Sequence, residues 1–216
     1  MKRTIIAAAA AIAAISSAHA ASINGLVNTG VGANGAADTH YSLTAVTSDT
    51  ALSSTAPTIT LDNTWPINPW LANDGVSKWI TPTATQGQSF DASVNGSYTY
   101  SLSFDLTGYN AGSAAFSGRF AADNGAVVKL NGQEIAGGSG FTSWTDFTAN
   151  SGFHTGVNTL DFVVNNWAQS SGNPTGLRVE FASSSIAAAV PEPSTYAMLL
   201  AGGALLGVVG RRRKQA

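Results

Sequence analysis

The chain has 216 residues, ten Lys and Arg against twelve Asp and Glu, and no cysteine, so disulfides, thiol nucleophiles and thiolate metal sites are excluded. Charge is unevenly placed: between 21 and 190, four basic residues (Lys78, Arg119, Lys129, Arg178) stand against eleven acidic ones, a net −7. Scattered cations on an acidic body exclude the clustered Lys and Arg that phosphate backbones require, so no nucleic-acid partner is expected.

Met1-Lys2-Arg3 is a short positive segment, followed by an apolar Ala/Ile stretch to Ile15 and then Ser16, Ser17 and Ala18-His19-Ala20. Small residues at 18 and 20 suit signal peptidase, which predicts a signal peptide over 1–20 with the cut after Ala20. Abundant Gly, Ser, Thr and Asn, with few helix formers in the body, predict a turn-rich β domain over 21–182.

Residues 63–79 hold three tryptophans, Trp65, Trp70 and Trp79, with Pro66 and Pro69 between them, which predicts a loop. Such rings serve either as platforms for the apolar faces of sugars or as a plug for the end of the core. Ser97 to Leu106 follows as the clearest strand. Tyr98, Tyr100, Leu102, Phe104 and Leu106 fall on one face and Ser97, Thr99, Ser101, Ser103 and Asp105 on the other. A turn over 107–112 leads into a second alternation at Ala114, Phe116, Gly118 and Phe120. Asp123-Asn124-Gly125 reads as a turn, Ala126 to Leu130 as a short strand, and Asn131-Gly132 as a turn into Gln133 to Ala136. Leu160, Phe162 and Val164 predict one further strand, with Val163 hinting at cover on both sides. Leu177, Val179 and Phe181, set against Arg178 and Glu180, predict the last. Short alternating strands with Gly/Asn turns point to an antiparallel sandwich or barrel.

Residues 183–189 read as a linker. Val190-Pro191-Glu192-Pro193 then precedes an apolar run from Tyr196 to Gly210 and the cluster Arg211-Arg212-Arg213-Lys214. The run makes a helix of about 24 Å, a short transmembrane span whose cationic end stays in the cytoplasm. The tail, 190–216, resembles the PEP-CTERM sorting signal through Pro191, Glu192, Pro193, the hydrophobic stretch and Arg211, Arg212 and Arg213. That resemblance implies recognition by an exosortase in the membrane, transient anchoring, and delivery to the surface or extracellular matrix of an exopolysaccharide-producing cell.

The body resembles the galactose-binding-like family through three segments. These are Phe104-Asp105-Leu106, Ala122-Asp123-Asn124 before Val127 to Gly132, and Gly156-Val157-Asn158-Thr159-Leu160 before Phe162-Val163-Val164. The expected fold is therefore all-β, an antiparallel jelly-roll β-sandwich flanked by an N-terminal signal helix and a C-terminal short transmembrane helix. Candidate carbohydrate-binding residues are Trp65, Trp70 and Trp167, with Asn165 and Asn166 able to hydrogen-bond hydroxyls; Trp144 reads as core or rim packing. The resemblance also implies a structural Ca²⁺ between a loop and the last strand, for which Asn73, Asp74, Ser77 and Glu180 are candidate ligands. A turn-capping Asp74 and an ion-paired Glu180 are the alternative.

Catalysis is not expected. His40 and His154 lie in no nucleophile or zinc motif, and neither Gly-x-Ser-x-Gly nor His-Glu-x-x-His occurs. Three readings stand: a sugar-binding exoprotein, a structural biofilm-matrix protein without a small ligand, and, least favoured, a glycan hydrolase.

Overall fold

The computed structural model describes residues 20–47, 52, 54–189 and 202–203. Most of the signal segment and nearly all of the tail lie outside them, as do the helices expected there. Strands among the described residues are β1 (Ala20–Ala21), β2 (Tyr41–Val46), β3 (Thr58–Ile59), β4 (Ile80–Thr81), β5 (Gly96–Asp105), β6 (Tyr109–Leu130), β7 (Gln133–Ala149), β8 (Val157–Asn166) and β9 (Gly176–Ala188). Every pair is antiparallel, and the order runs β2-β5-β8-β6-β9-β4-β3, with β7 beside β6 and β1 beside β9.

The alternation at 97–106 becomes β5. Tyr98, Tyr100, Leu102 and Phe104 are each at most 3% exposed, while the serines between them face outward or lie half-buried. In β8, Leu160, Phe162 and Val164 are fully buried, and Val163 is half-buried between Thr99 and Val127. Each such side chain removed from water contributes about 1.5–3 kcal/mol. Asn131 and Gly132 both take positive φ, at 50° and 83°, which is the turn that matches the twist of a two-residue hairpin.

Asp123-Asn124-Gly125 departs from expectation. It is not a turn between neighbouring strands: β6 runs through it, with a register shift between Ala122 and Gly125. Before it β6 pairs with β9, and after it with β8. Phe120 packs on Phe162 at 6.2 Å, and Phe162 is the pairing partner of Val128. Residues equally far before and after Asn124 thus face each other across the core. The strand folds over one end of the sandwich and passes from one sheet to the other.

β7 follows it, pairing first with 125–130 and then with 116–120. The expected strands at 114–120 and 126–130 are one strand, and the short segment 133–136 extends to Ala149. At the other margin β9 continues to Ala188, through most of the segment expected as a linker, and pairs with β1.

The main core lies between the sheets, with Phe116 meeting Phe104, Phe147, Phe153 and Phe181 edge-on at 5.5 to 6.4 Å. A second apolar cluster of Trp65, Trp70, Trp79 and Ala121 covers the outer face of β9 and β6. That cover buries Arg178 and Glu180, which alternation alone assigns to solvent.

Candidate functional site

Three of the four candidate metal ligands converge, and a guanidinium stands among them. Arg178, 2% exposed, donates from Nη2 to Asp74 Oδ2 at 2.8 Å and to Glu180 Oε1 at 3.3 Å, from Nε to Ser77 Oγ at 2.6 Å, and from Nη1 to the Ala72 carbonyl. Ser77 Oγ in turn donates to Glu180 Oε1 at 2.8 Å. Arg119 Nη2 lies 2.6 Å from Glu180 Oε2. Both guanidinium carbons lie over the Trp144 ring, at 4.4 Å for Arg119 and 4.8 Å for Arg178.

Asp74 Oδ1 caps the loop, accepting the N–H groups of Val76 at 2.8 Å and Ser77 at 3.0 Å. Burial alone raises the Asp74 pKa; the Ser77 and Val76 N–H groups and Arg178 outweigh it and hold the carboxyl below its ordinary value. Asn73 faces elsewhere, donating to Thr60 Oγ1 and Asp62 and accepting the Trp79 N–H at 2.9 Å.

Ca²⁺ requires six to eight free oxygens. Here the carboxylate oxygens of Asp74 and Glu180 are engaged by N–H and O–H donors, and a fixed cation occupies the space between them. The set does not fit Ca²⁺ with Arg178 in place. Among the described residues, no group of three His, Cys, Asp or Glu gathers at a metal-sized site.

Trp65 and Trp70, which the sequence left open as sugar platforms or as a plug, are core residues, 4% and 7% exposed. Trp70 meets Trp65 edge-on at 4.8 Å, Trp79 at 4.4 Å and Phe141 at 5.6 Å. The 62–79 loop is held to its surroundings by the Leu71 N–H, which donates to the Phe141 carbonyl at 2.8 Å, by Arg178 Nη1 on the Ala72 carbonyl and by Asn73 Nδ2 on Thr60 Oγ1 at 2.9 Å. The Trp79 Nε1–H, bonded to the Leu71 carbonyl at 2.7 Å, braces it from within. Rings of this size bury about 150–250 Å² each, so covering the sheet outweighs display to solvent.

Trp167 is different. It is 55% exposed at the folded-over end of the sandwich, just past β8. Its backbone is fixed on both sides: the N–H donates to Asn124 Oδ1 at 2.7 Å and the carbonyl accepts Asn173 Nδ2 at 3.0 Å. Next to it, the Ala168 N–H donates to Asn95 Oδ1 at 2.8 Å. Asn165 is exposed beside it. Asn166 is fully buried and donates to Asp91 Oδ2 at 2.8 Å, so it supports the platform from beneath and is withdrawn as a direct hydroxyl partner. A half-exposed indole on an immobilised backbone, flanked by an amide, can stack on the apolar face of a sugar ring.

Sequence reasoning missed the buried acids Asp38, Asp91 and Asp123. Asp91 (φ 54°) accepts Tyr98 Oη and Asn166 Nδ2, each at 2.8 Å, and the Thr47 hydroxyl. A Cβ at Gly96 would lie 2.3 Å from that carboxylate, so only glycine fits there. Asp123 is buried at the fold-over of β6, and burial pushes its pKa up to about 7. Asp123 stood inside a turn signal and Asp91 in a Ser/Asp/Asn-rich loop; neither pattern reveals burial.

Residues 189–214 match the PEP-CTERM protein-sorting motif, which implies export, exosortase handling and transient membrane anchoring. The sorting residues Pro191, Glu192, Pro193, Arg211, Arg212 and Arg213 lie outside the described residues, among which no helix is long and apolar enough to cross a membrane. No curated protein matches the chain.

Solved structures that the chain matches include a β-glucosidase from Kluyveromyces marxianus, with 7% identity and a TM-score of 0.30 over 44% of this chain and 12% of that one. A PA14 sugar-binding domain from an RTX adhesin gives 18% identity and a TM-score of 0.27 over 46% and 56%. The family 11 carbohydrate-binding module of a Clostridium thermocellum cellulosomal cellulase gives 6% and 0.34 over 82% and 99%. The chain thus spans about an eighth of the first and little over half of the second. The sandwich assignment rests on the strand pairing itself.

Proposed function

We propose that this is an exosortase-sorted surface or extracellular-matrix protein whose non-catalytic sandwich binds carbohydrate through Trp167 and Asn165. Signal peptidase removes 1–20, the tail holds the domain at the membrane until it is sorted, and the mature protein contacts exopolysaccharide. The observation that carries the reading is Trp167, 55% exposed while Trp65, Trp70 and Trp79 are all at most 7% exposed. A large ring held in water by a fixed backbone forgoes burial that its counterparts obtain, which suits a surface that meets a ligand.

Retention of the purified chain on immobilised exopolysaccharide tests this. Wild type is retained, and Trp167→Ala elutes with the void at an unchanged melting temperature. A broad glycan panel that retains neither protein defeats the reading. Concentration-dependent self-association without sugar would then favour the structural matrix role.

A further inference from the structure

The places where the two ends of the chain leave the sandwich fix how it stands on the membrane. Ala20 pairs with Ala187 and Ala21 with Ile186, antiparallel. Going backward along β1 is therefore going forward along β9, so the start of β1 and the end of β9 lie side by side, about 5 Å apart. The exit is pinned: Tyr109 lies opposite Ala188, and the Ala189 N–H donates to the Gly108 carbonyl at 3.1 Å. Ala20 and Ala189, the sandwich residues nearest in sequence to the two apolar segments, thus lie at one end of the domain.

Trp167 sits at the other end. Its N–H is bonded to Asn124, and the neighbouring Asp123 pairs with Gly176, the first residue of β9. The thirteen residues of β9 separate the two ends by about 40 Å at roughly 3.3 Å per residue. Between Ala189 and Tyr196, where the apolar run begins, the chain can span at most about 25 Å even when fully extended. The tether is shorter than the domain.

We infer that, while the tail is inserted, the end holding the 107–108 turn stands on the membrane and Trp167 points away from it. A domain about 40 Å long cannot stand inverted on so short a tether, and upright it presents Trp167 to extracellular polymer rather than to headgroups. This rests on the sorting-tail part of the proposed function and not on sugar binding.

The chain has no cysteine, so single labels are clean. Exposed Thr155, at the exit end, and exposed Ser170, beside Trp167, are each replaced (Thr155→Cys, Ser170→Cys) in the full chain. Each variant carries a fluorescent donor and is inserted into phosphatidylcholine vesicles holding an acceptor-labelled lipid. Energy transfer from position 155 should be at least twofold stronger than from position 170. Equal or reversed transfer in chains that float with the vesicles overturns the orientation alone. Chains that fail to float overturn the anchoring as well.

Discussion

Arg178 Nη2 lies 2.8 Å from Asp74 Oδ2, a contact that ties the last strand to the loop covering it. The same guanidinium reaches Ser77, Glu180 and the Ala72 carbonyl, so one cation satisfies four oxygen-bearing groups beneath Trp144. Removing it leaves Glu180 buried with less compensation. Arg178→Met should cost about 3–5 kcal/mol, or about 10 °C in melting temperature for a domain of this size. Circular dichroism melts would show it, and a shift under 2 °C would refute the role given to Arg178. Wild-type melts in millimolar Ca²⁺ and in EDTA should coincide, because the cation's place is already taken.

Trp70 is the centre of the outer apolar cluster, touching Trp65, Trp79 and Phe141. Trp70→Ala opens a large cavity there and should destabilise by about 3–5 kcal/mol. Urea denaturation at equilibrium is the measurement. Loss of glycan retention with no loss of stability would return Trp70 to the surface.

Asn158 is fully buried and makes four hydrogen bonds, all at 2.8 Å. It accepts from Asn131 Nδ2 and the His154 N–H, and donates to the His154 and Gly156 carbonyls. Asn131 Oδ1 closes the network on the Thr159 N–H at 3.0 Å. The paired segments Leu130-Asn131-Gly132 and Gly156-Val157-Asn158 are therefore two halves of one lock. Asn158→Ala leaves several backbone groups without partners and should cost about 2–4 kcal/mol. Amide exchange of His154 and Thr159 should accelerate with it; unchanged protection at both would contradict the network.

Asp123 gives the domain a pH dependence of defined sign. Its folded pKa of about 7 lies above the ordinary 3.8, so its neutral form is the one the fold accommodates. Stability is full below about pH 4, falls as pH rises between 4 and 7, and is level above that, with a total of up to about 4 kcal/mol. Asp123→Asn removes the ionisation. The variant should melt higher than wild type at pH 8 and equally at pH 4, and parallel curves across that range would rule the carboxyl out.

Much of this was legible in the residues themselves. Tyr98 to Leu106 alternates without interruption, and a half-buried strand is the only regular element that puts such a pattern on one face. Asn131-Gly132 declares its own backbone geometry. Asp123-Asn124-Gly125 was legible as a change of direction only, because a local signal does not say whether the chain returns beside itself or across the core. Alternation at 177–181 shows that Arg178 faces away from Leu177, yet a period of two is silent on whether the second face is wet. The sequence left Trp65 and Trp70 open between platform and plug for the same reason: which side of a loop is covered depends on residues far off in sequence, here Ala121 and Phe141.

The exit of the chain beside Tyr109 also decides how the domain carries load. Trp167 and the tail lie beyond opposite ends of β9, with only the 168–175 loop between Trp167 and Gly176, so a pull applied between them runs along the backbone of a strand that is already extended. Its hydrogen bonds to β6 and β1 lie across that direction and keep the strand in register. Little slack remains to be drawn out of the chain along that line.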